Sequence, residues 1–138
     1  MRIPDGAAAQ GVYKVLTSDR KFVQVVDDDP AVCASLKFLL ELEGLSVQTH
    51  GSGPSLLADD RLAASDCLIL DYRMPGMDGF SVLCELAAKA INIPVILITA
   101  PVSEVLRRRA KQLGVFSLLE KPLLDNVLVK NVHDALSA

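Results

Sequence analysis

Short apolar runs alternate with helical patterns along most of this 138-residue chain, which predicts an α/β fold: a parallel sheet sandwiched by helices. The composition agrees. Half the residues are apolar, but with four Phe, two Tyr and no Trp the core must be aliphatic. Such a core suits buried parallel strands covered by helices. The links between elements are short, so the crossovers are expected to be right-handed.

The elements follow in order. "FVQVV" (Phe22–Val26) is the first strand. In "DDDPAVCASLKFLLELEG", Pro30 suits a first helical turn, Val32, Leu36, Leu39 and Leu40 form an apolar stripe, and Gly44 is a stop. "LSVQT" (Leu45–Thr49) is a short second strand and "GPSLLADDRLAA" a modest helix. "CLILD" is apolar until its last residue and reads as a central third strand. Asp78 can cap a helix from Gly79 to about Ala90, with Phe80, Leu83, Leu86 and Ala87 on one side. "IPVILITA" (Ile93–Ala100) is the most strand-like run. A weakly amphipathic helix from Ser103 to about Leu113 ends at Gly114. "VFSLLE" is a fifth strand, broken by "KP", and a last helix covers roughly Asp125 to Leu136.

The length fits one domain, read here as residues 21–138, behind an irregular extension over 1–20 that shows no period. A net charge of −3 argues against a nucleic-acid surface over the whole chain. No apolar run approaches a membrane span, and the N-terminus lacks the apolar stretch of a secretory signal. Cys33, Cys67 and Cys84 are scattered among apolar residues and are expected to be small buried side chains in a reducing cytosol. With only His50 and His133 to help, they make a poor zinc site; His50 is read as a surface loop residue and His133 as a surface residue of the last helix.

In an open parallel sheet, ligands bind outside the carboxyl ends of the strands. Those ends carry Asp27, Asp28 and Asp29 after the first strand, Asp71 after the third, Thr99 after the fourth and Lys121 after the fifth. Clustered carboxylates repel and pay for desolvation; a hard divalent cation such as Mg²⁺ relieves both. One carboxylate can then attack a phosphoryl group, with Lys121 neutralising the transferred oxygens and Thr99 donating a hydrogen bond to one of them. On that reading Asp71 ends a buried strand because the strand is a rigid mount for a reactive carboxylate.

The pieces "VVDDD" (25–29), "LILDYRMPGMDG" (68–79), "VILITA" (95–100) and "LLEKP" (118–122) resemble, in order and spacing, the receiver domain of two-component response regulators. The resemblance covers about residues 21–137. "INIPVILITA" and "AKQLGVFSLLEKPL" are similar to receivers of the FixJ type, which usually precede a DNA-binding domain. The family implies a doubly wound (flavodoxin/CheY-like) five-stranded parallel sheet in the order 2-1-3-4-5 with five helices, a sensor histidine kinase as donor, Mg²⁺ as cofactor and a cytoplasmic location. Carried over by position, Asp71 resembles the phosphoacceptor, Asp27 and Asp28 the acidic pair that positions Mg²⁺, and Arg73 the residue whose backbone carbonyl faces the metal. Of the pair, Asp28 ranks ahead of Asp27 as direct ligand. Thr99 resembles the hydroxyl that follows the phosphoryl group, Lys121 the phosphate-pairing lysine with Pro122 after a cis bond, and Asp29 a third, non-ligand acid suited to a helix cap. The family's output face is the fourth helix, fifth strand and fifth helix, often as a homodimer. Two positions depart from the pattern. Leu118 stands where an aromatic is usual, and Pro101 stiffens the loop after Thr99.

Two other functions use the same residues. "VVDDDP" fits the D-x-D of aspartate-nucleophile phosphatases, with Asp27 attacking and Asp29 as general acid, but it leaves Asp71 unexplained. A phosphorylation-independent, receiver-like interaction module would accommodate Leu118 and Pro101. These charged groups also have plainer readings: Asp27–Asp29 as an acidic helix start, Asp71 as a loop cap, and Arg107–Arg109 as a solvated basic face.

Overall fold

The structure is a computed structural model and describes residues 20–138. The extension expected over 1–20 therefore lies, but for Arg20, outside the described residues. Five strands and five helices alternate: β1 (Phe22–Val26), α1 (Pro30–Leu42), β2 (Ser46–His50), α2 (Gly53–Leu57), β3 (Cys67–Asp71), α3 (Gly79–Ala88), β4 (Val95–Thr99), α4 (Glu104–Gln112), β5 (Ser117–Glu120) and α5 (Asp125–Ser137). Every ladder is parallel and the spatial order is β2-β1-β3-β4-β5.

Strand periodicity builds two cores. Val23, Val25, Cys67, Ile69, Ile96 and Ile98 face α1 and α5, where they meet Leu36, Leu40, Leu128 and Val132. Their neighbours Val26, Leu68, Leu70, Val95 and Leu97 face the other way, onto Leu56, Val82, Leu83, Leu86 and Ala110. β3 and β4 are buried along their whole length, so both are central, and both are apolar without alternation up to their last residues, Asp71 and Thr99.

Helix starts obey their caps. Asp29, Ser52, Asp78 and Ser103 each accept a hydrogen bond from a backbone N–H of the helix they precede. Three expectations need correction. The "GPSLLADDRLAA" helix stops at Leu57, and a separate 3₁₀ turn covers Leu62–Ala64. The break arises because the Asp59 carboxylate takes the Arg61 N–H at 2.8 Å and closes a side-chain turn where the helix would run on. Cys84 is exposed, because Val82, Leu83 and Leu86 set the buried face of α3 and Cys84 points away from it. His50 is the last residue of β2 and is buried; β2 runs one residue further than expected because His50 pairs with Val26.

Candidate functional site

The strand ends converge. Asp27, Asp28 and Asp71 each place a carboxylate oxygen within 4.8 Å of the others. Lys121 reaches in from the end of β5, its Nζ 3.1 Å from Asp27 Oδ2 and 3.6 Å from Asp71 Oδ1. Asp27 is held on its other oxygen by the Asp29 N–H at 2.9 Å, and its own N–H donates to the His50 carbonyl at 3.1 Å. Asp28 is exposed, whereas Asp27 and Asp71 are buried. One acid at the mouth and two inside leave an open side toward solvent.

Electrostatics follow from that burial. Desolvation pushes the Asp71 carboxyl above its usual range and the Asp27 charge pushes it further, while Lys121 and the Arg73 backbone N–H pull it back. For Lys121, burial works against the charged form, but the hydrogen bond to Asp27 and the charges of Asp27 and Asp71 outweigh it and raise its pKa. The ammonium is therefore charged at neutral pH.

The donor set suits Mg²⁺. All three side chains offer hard oxygens, and opposite ligands of an octahedral Mg²⁺ stand about 4.2 Å apart, close to the spread of these acids. Beside them the Thr99 hydroxyl, on a residue only 1% exposed, has no hydrogen-bond partner among the described residues. A buried orphan hydroxyl at a strand end costs free energy that a bound oxyanion would recover.

The remaining expected residues take their places around this centre. The loop after β3 is closed by the Gly79 N–H on the Tyr72 carbonyl at 2.9 Å, with Gly76 at φ 82°, a left-handed turn that favours glycine. The Lys121–Pro122 peptide is cis, as the resemblance implied, and Ala100–Pro101 is cis as well. Asp29 caps α1 through the Ala31 N–H at 2.9 Å, so its carboxylate is engaged away from the cluster, which weakens the D-x-D phosphatase reading. Leu118 is half-buried against the α3–α4 core. His133 lies exposed on α5 and meets Glu43 at 3.1 Å.

A polar group that sequence reasoning missed lies beside β2. His50 Nε2 faces Gln24 Oε1 at 2.9 Å and Asp59 Oδ2 at 3.2 Å, and Nδ1 faces Ser55 Oγ at 2.8 Å. Two acceptors at Nε2 assign the proton there, so Nδ1 accepts from the Ser55 hydroxyl. The signal was Gln24: an amide in the middle of an apolar central strand requires a buried partner.

A doubly wound sheet with an acid triad and a lysine at its carboxyl edge is the arrangement of a signalling receiver. Residues 23–133 match the family described as response regulator receiver domain, and the chain belongs to that family. It is 39% identical over 114 residues to the transcriptional regulatory protein FixJ of Azorhizobium caulinodans, a match that covers 83% of this chain and 54% of that one. The C4-dicarboxylate transport transcriptional regulatory protein DctR of Rhodobacter capsulatus is 37% identical over 118 residues, covering 84% of this chain and 60% of that one. The chain thus spans about half the length of the curated relatives it matches. Among solved structures, the crystal structure of FixJ-N superposes with a TM-score of 0.75 at 33% identity, covering 85% of this chain and 94% of that one. Vibrio cholerae CheY4 superposes at 0.79 with 26% identity, covering 85% and 99%. The expected fold, strand order and FixJ-like family are therefore borne out. Receiver domains of response regulators bind Mg²⁺ at an acidic pocket and work with histidine kinases and effector domains. No helix among the described residues is long and apolar enough to cross a membrane.

Proposed function

We propose that this receiver accepts a phosphoryl group on Asp71 from a sensor histidine kinase and holds it as a transient aspartyl phosphate. The observation that carries this is the convergence of Asp27, Asp28 and Asp71 with the Lys121 ammonium 3.6 Å from the Asp71 carboxylate. An Asp71 oxygen attacks phosphorus as the donor's P–N bond breaks, and the departing imidazole keeps the electron pair. Lys121 neutralises a transferred oxygen, and the Thr99 hydroxyl donates to another. Asp27, Asp28, Asp71 and the Arg73 carbonyl would hold Mg²⁺, which supplies charge neutralisation to the phosphoryl oxygens. The protein is a phosphoacceptor that assists its own phosphorylation and dephosphorylation, and not a turnover enzyme.

The output follows population shift: the phosphoryl group favours whichever arrangement of Thr99 and the α4–β5–α5 face binds it better. That face is the candidate partner surface, as a homodimer or toward a DNA-binding effector domain of a longer, cytoplasmic regulator. Incubation with Mg²⁺ and a small phosphodonor, followed by intact mass, tests the chemistry. One added phosphoryl group in wild type and none in Asp71→Asn is expected; equal modification of Asp71→Asn overturns the assignment. Labelling at Asp27 instead would restore the phosphatase reading.

Leu118 favours one second reading, an interaction module that needs no phosphoryl group, because the side chain that usually follows the threonine is replaced by an aliphatic one. Equal partner affinity or dimerisation with and without beryllofluoride would establish it.

A further inference from the structure

Arg73 stands two residues after Asp71, in the loop that follows β3. Its side chain leaves the β3–α3 loop and crosses to the β4–α4 loop, where Nε donates to the Ala100 carbonyl at 3.0 Å. The guanidinium also lies over the Tyr72 ring, 5.8 Å from its centroid, and Tyr72 is itself packed on Phe80 with ring centroids 4.6 Å apart. That stack limits the rotamers open to an otherwise exposed side chain, so less entropy opposes the hydrogen bond.

Ala100 is the residue after Thr99. The Thr99 carbonyl is fixed by the Lys121 N–H at 2.8 Å, but the Thr99 hydroxyl is without a partner among the described residues. Any backbone turn that carries this hydroxyl toward an anion on Asp71 also swings the Ala100 peptide. Further along, the loop is tied at Val102, whose N–H meets Glu120 Oε2 at 3.3 Å, a longer contact than the arginine's.

We infer that Arg73 is a positioning residue: its guanidinium straps the β4–α4 loop to the phosphoacceptor loop and holds Thr99 in its resting place. The inference rests on the phosphoacceptor reading for its consequence, but not for the strap itself. The strap makes the resting loop more stable, so part of the binding free energy of a phosphoryl group is spent on releasing it. With Leu118 unable to offer an aromatic switch, the restraint on Thr99 comes from the opposite loop.

Hydrogen–deuterium exchange of the full chain without any phosphodonor reads the strap directly. The amide of Val102, held by Glu120 Oε2, should exchange severalfold faster in Arg73→Ala than in wild type. Arg73→Lys, whose ammonium can still reach a carbonyl, should fall between them. Amides of β1 and β3 serve as the control for folding and should not change. Beryllofluoride titration with Mg²⁺ reads the consequence: loss of one charge-assisted hydrogen bond should tighten its binding to Arg73→Ala by about three- to fivefold. Unchanged exchange at Val102 overturns the strap. Faster exchange with unchanged or weaker beryllofluoride affinity overturns its link to Thr99. If wild type binds no beryllofluoride, the phosphoacceptor reading falls, and the exchange result still decides the strap.

Discussion

The ammonium of Lys121 lies between Asp27 and Asp71, nearer to Asp27 by 3.1 Å against 3.6 Å. It is thus engaged by the acid that holds the site together and within a small movement of the acid that would react. A transferred phosphoryl group brings more negative charge than Asp27 and would draw the ammonium across. Lys121→Ala should still fold but should acquire phosphoryl from a small donor at least tenfold more slowly than wild type. Time-resolved intact mass measures this; a rate within twofold of wild type would remove Lys121 from the chemistry.

Asp71 is a buried carboxylate that its surroundings make costly to ionise. Its folded pKa lies above the unfolded value, so near neutral pH it destabilises the metal-free protein, and it does so less as pH falls toward that raised pKa. Asp71→Asn removes the charge and keeps the shape. It should raise stability by about 1 kcal/mol in urea unfolding without metal. Adding Mg²⁺ should stabilise wild type and should stabilise Asp71→Asn far less, because one hard ligand is gone. Equal Mg²⁺ stabilisation of both proteins would contradict the metal assignment.

His50 turns a local network into a pH dependence. Burial lowers its pKa; the Asp59 charge and hydrogen bond oppose this, and Arg61 adds to the lowering. The 3.2 Å His50–Asp59 contact would suggest a charged pair, but desolvation wins and the neutral ring is favoured. The folded pKa is below the unfolded one, so the unfolded chain binds more protons between the two values. Stability is therefore complete above the unfolded value of about 6.5 and falls as pH drops through it toward the lowered folded value. Urea unfolding across that window should show the fall in wild type and a flatter curve in His50→Gln. At pH 8, His50→Ala should cost about 2 kcal/mol, because it strands Gln24 and Ser55. A pH profile identical to wild type in His50→Gln would assign the dependence to other groups.

These residues also show what was legible in the sequence. Phe22–Val26 and Cys67–Asp71 were readable to the residue because each apolar run is bounded by charge or by loop chemistry. Asp27, Asp28, Asp71 and Lys121 were readable as a convergent set because a parallel sheet gathers its strand ends at one edge. His50 was not, because its burial depends on α2 and the loop carrying Asp59 folding over it, and nothing in "THGSG" encodes that cover. The helix break after Leu57 was hidden for a similar reason. A single side-chain turn at Asp59 overrides a continuous helical pattern. The Arg73 contact with Ala100 joins residues 27 positions apart through an exposed side chain, which no periodicity reports.

Gly79 opens α3 where the helix presses on β3, the strand that ends in Asp71. A Cβ there would stand 3.0 Å from Tyr72 Cα and 3.2 Å from the Asp71 carbonyl oxygen, both backbone atoms, and 3.0 Å from Leu97 Cδ1. The leucine can give way by a small rotation, but the backbone that carries Asp71 yields only by moving the strand end. Gly79→Ala should therefore cost about 1–2 kcal/mol of stability despite the better helix propensity of alanine. It should also weaken Mg²⁺ binding, because displacing the Asp71 backbone misplaces its carboxylate among Asp27, Asp28 and Lys121. Denaturant unfolding and Mg²⁺ titration of one variant give both numbers. A Gly79→Ala protein as stable as wild type, with unchanged Mg²⁺ affinity, would mean that α3 can shift without disturbing β3, and that the position of Asp71 is set by the sheet alone.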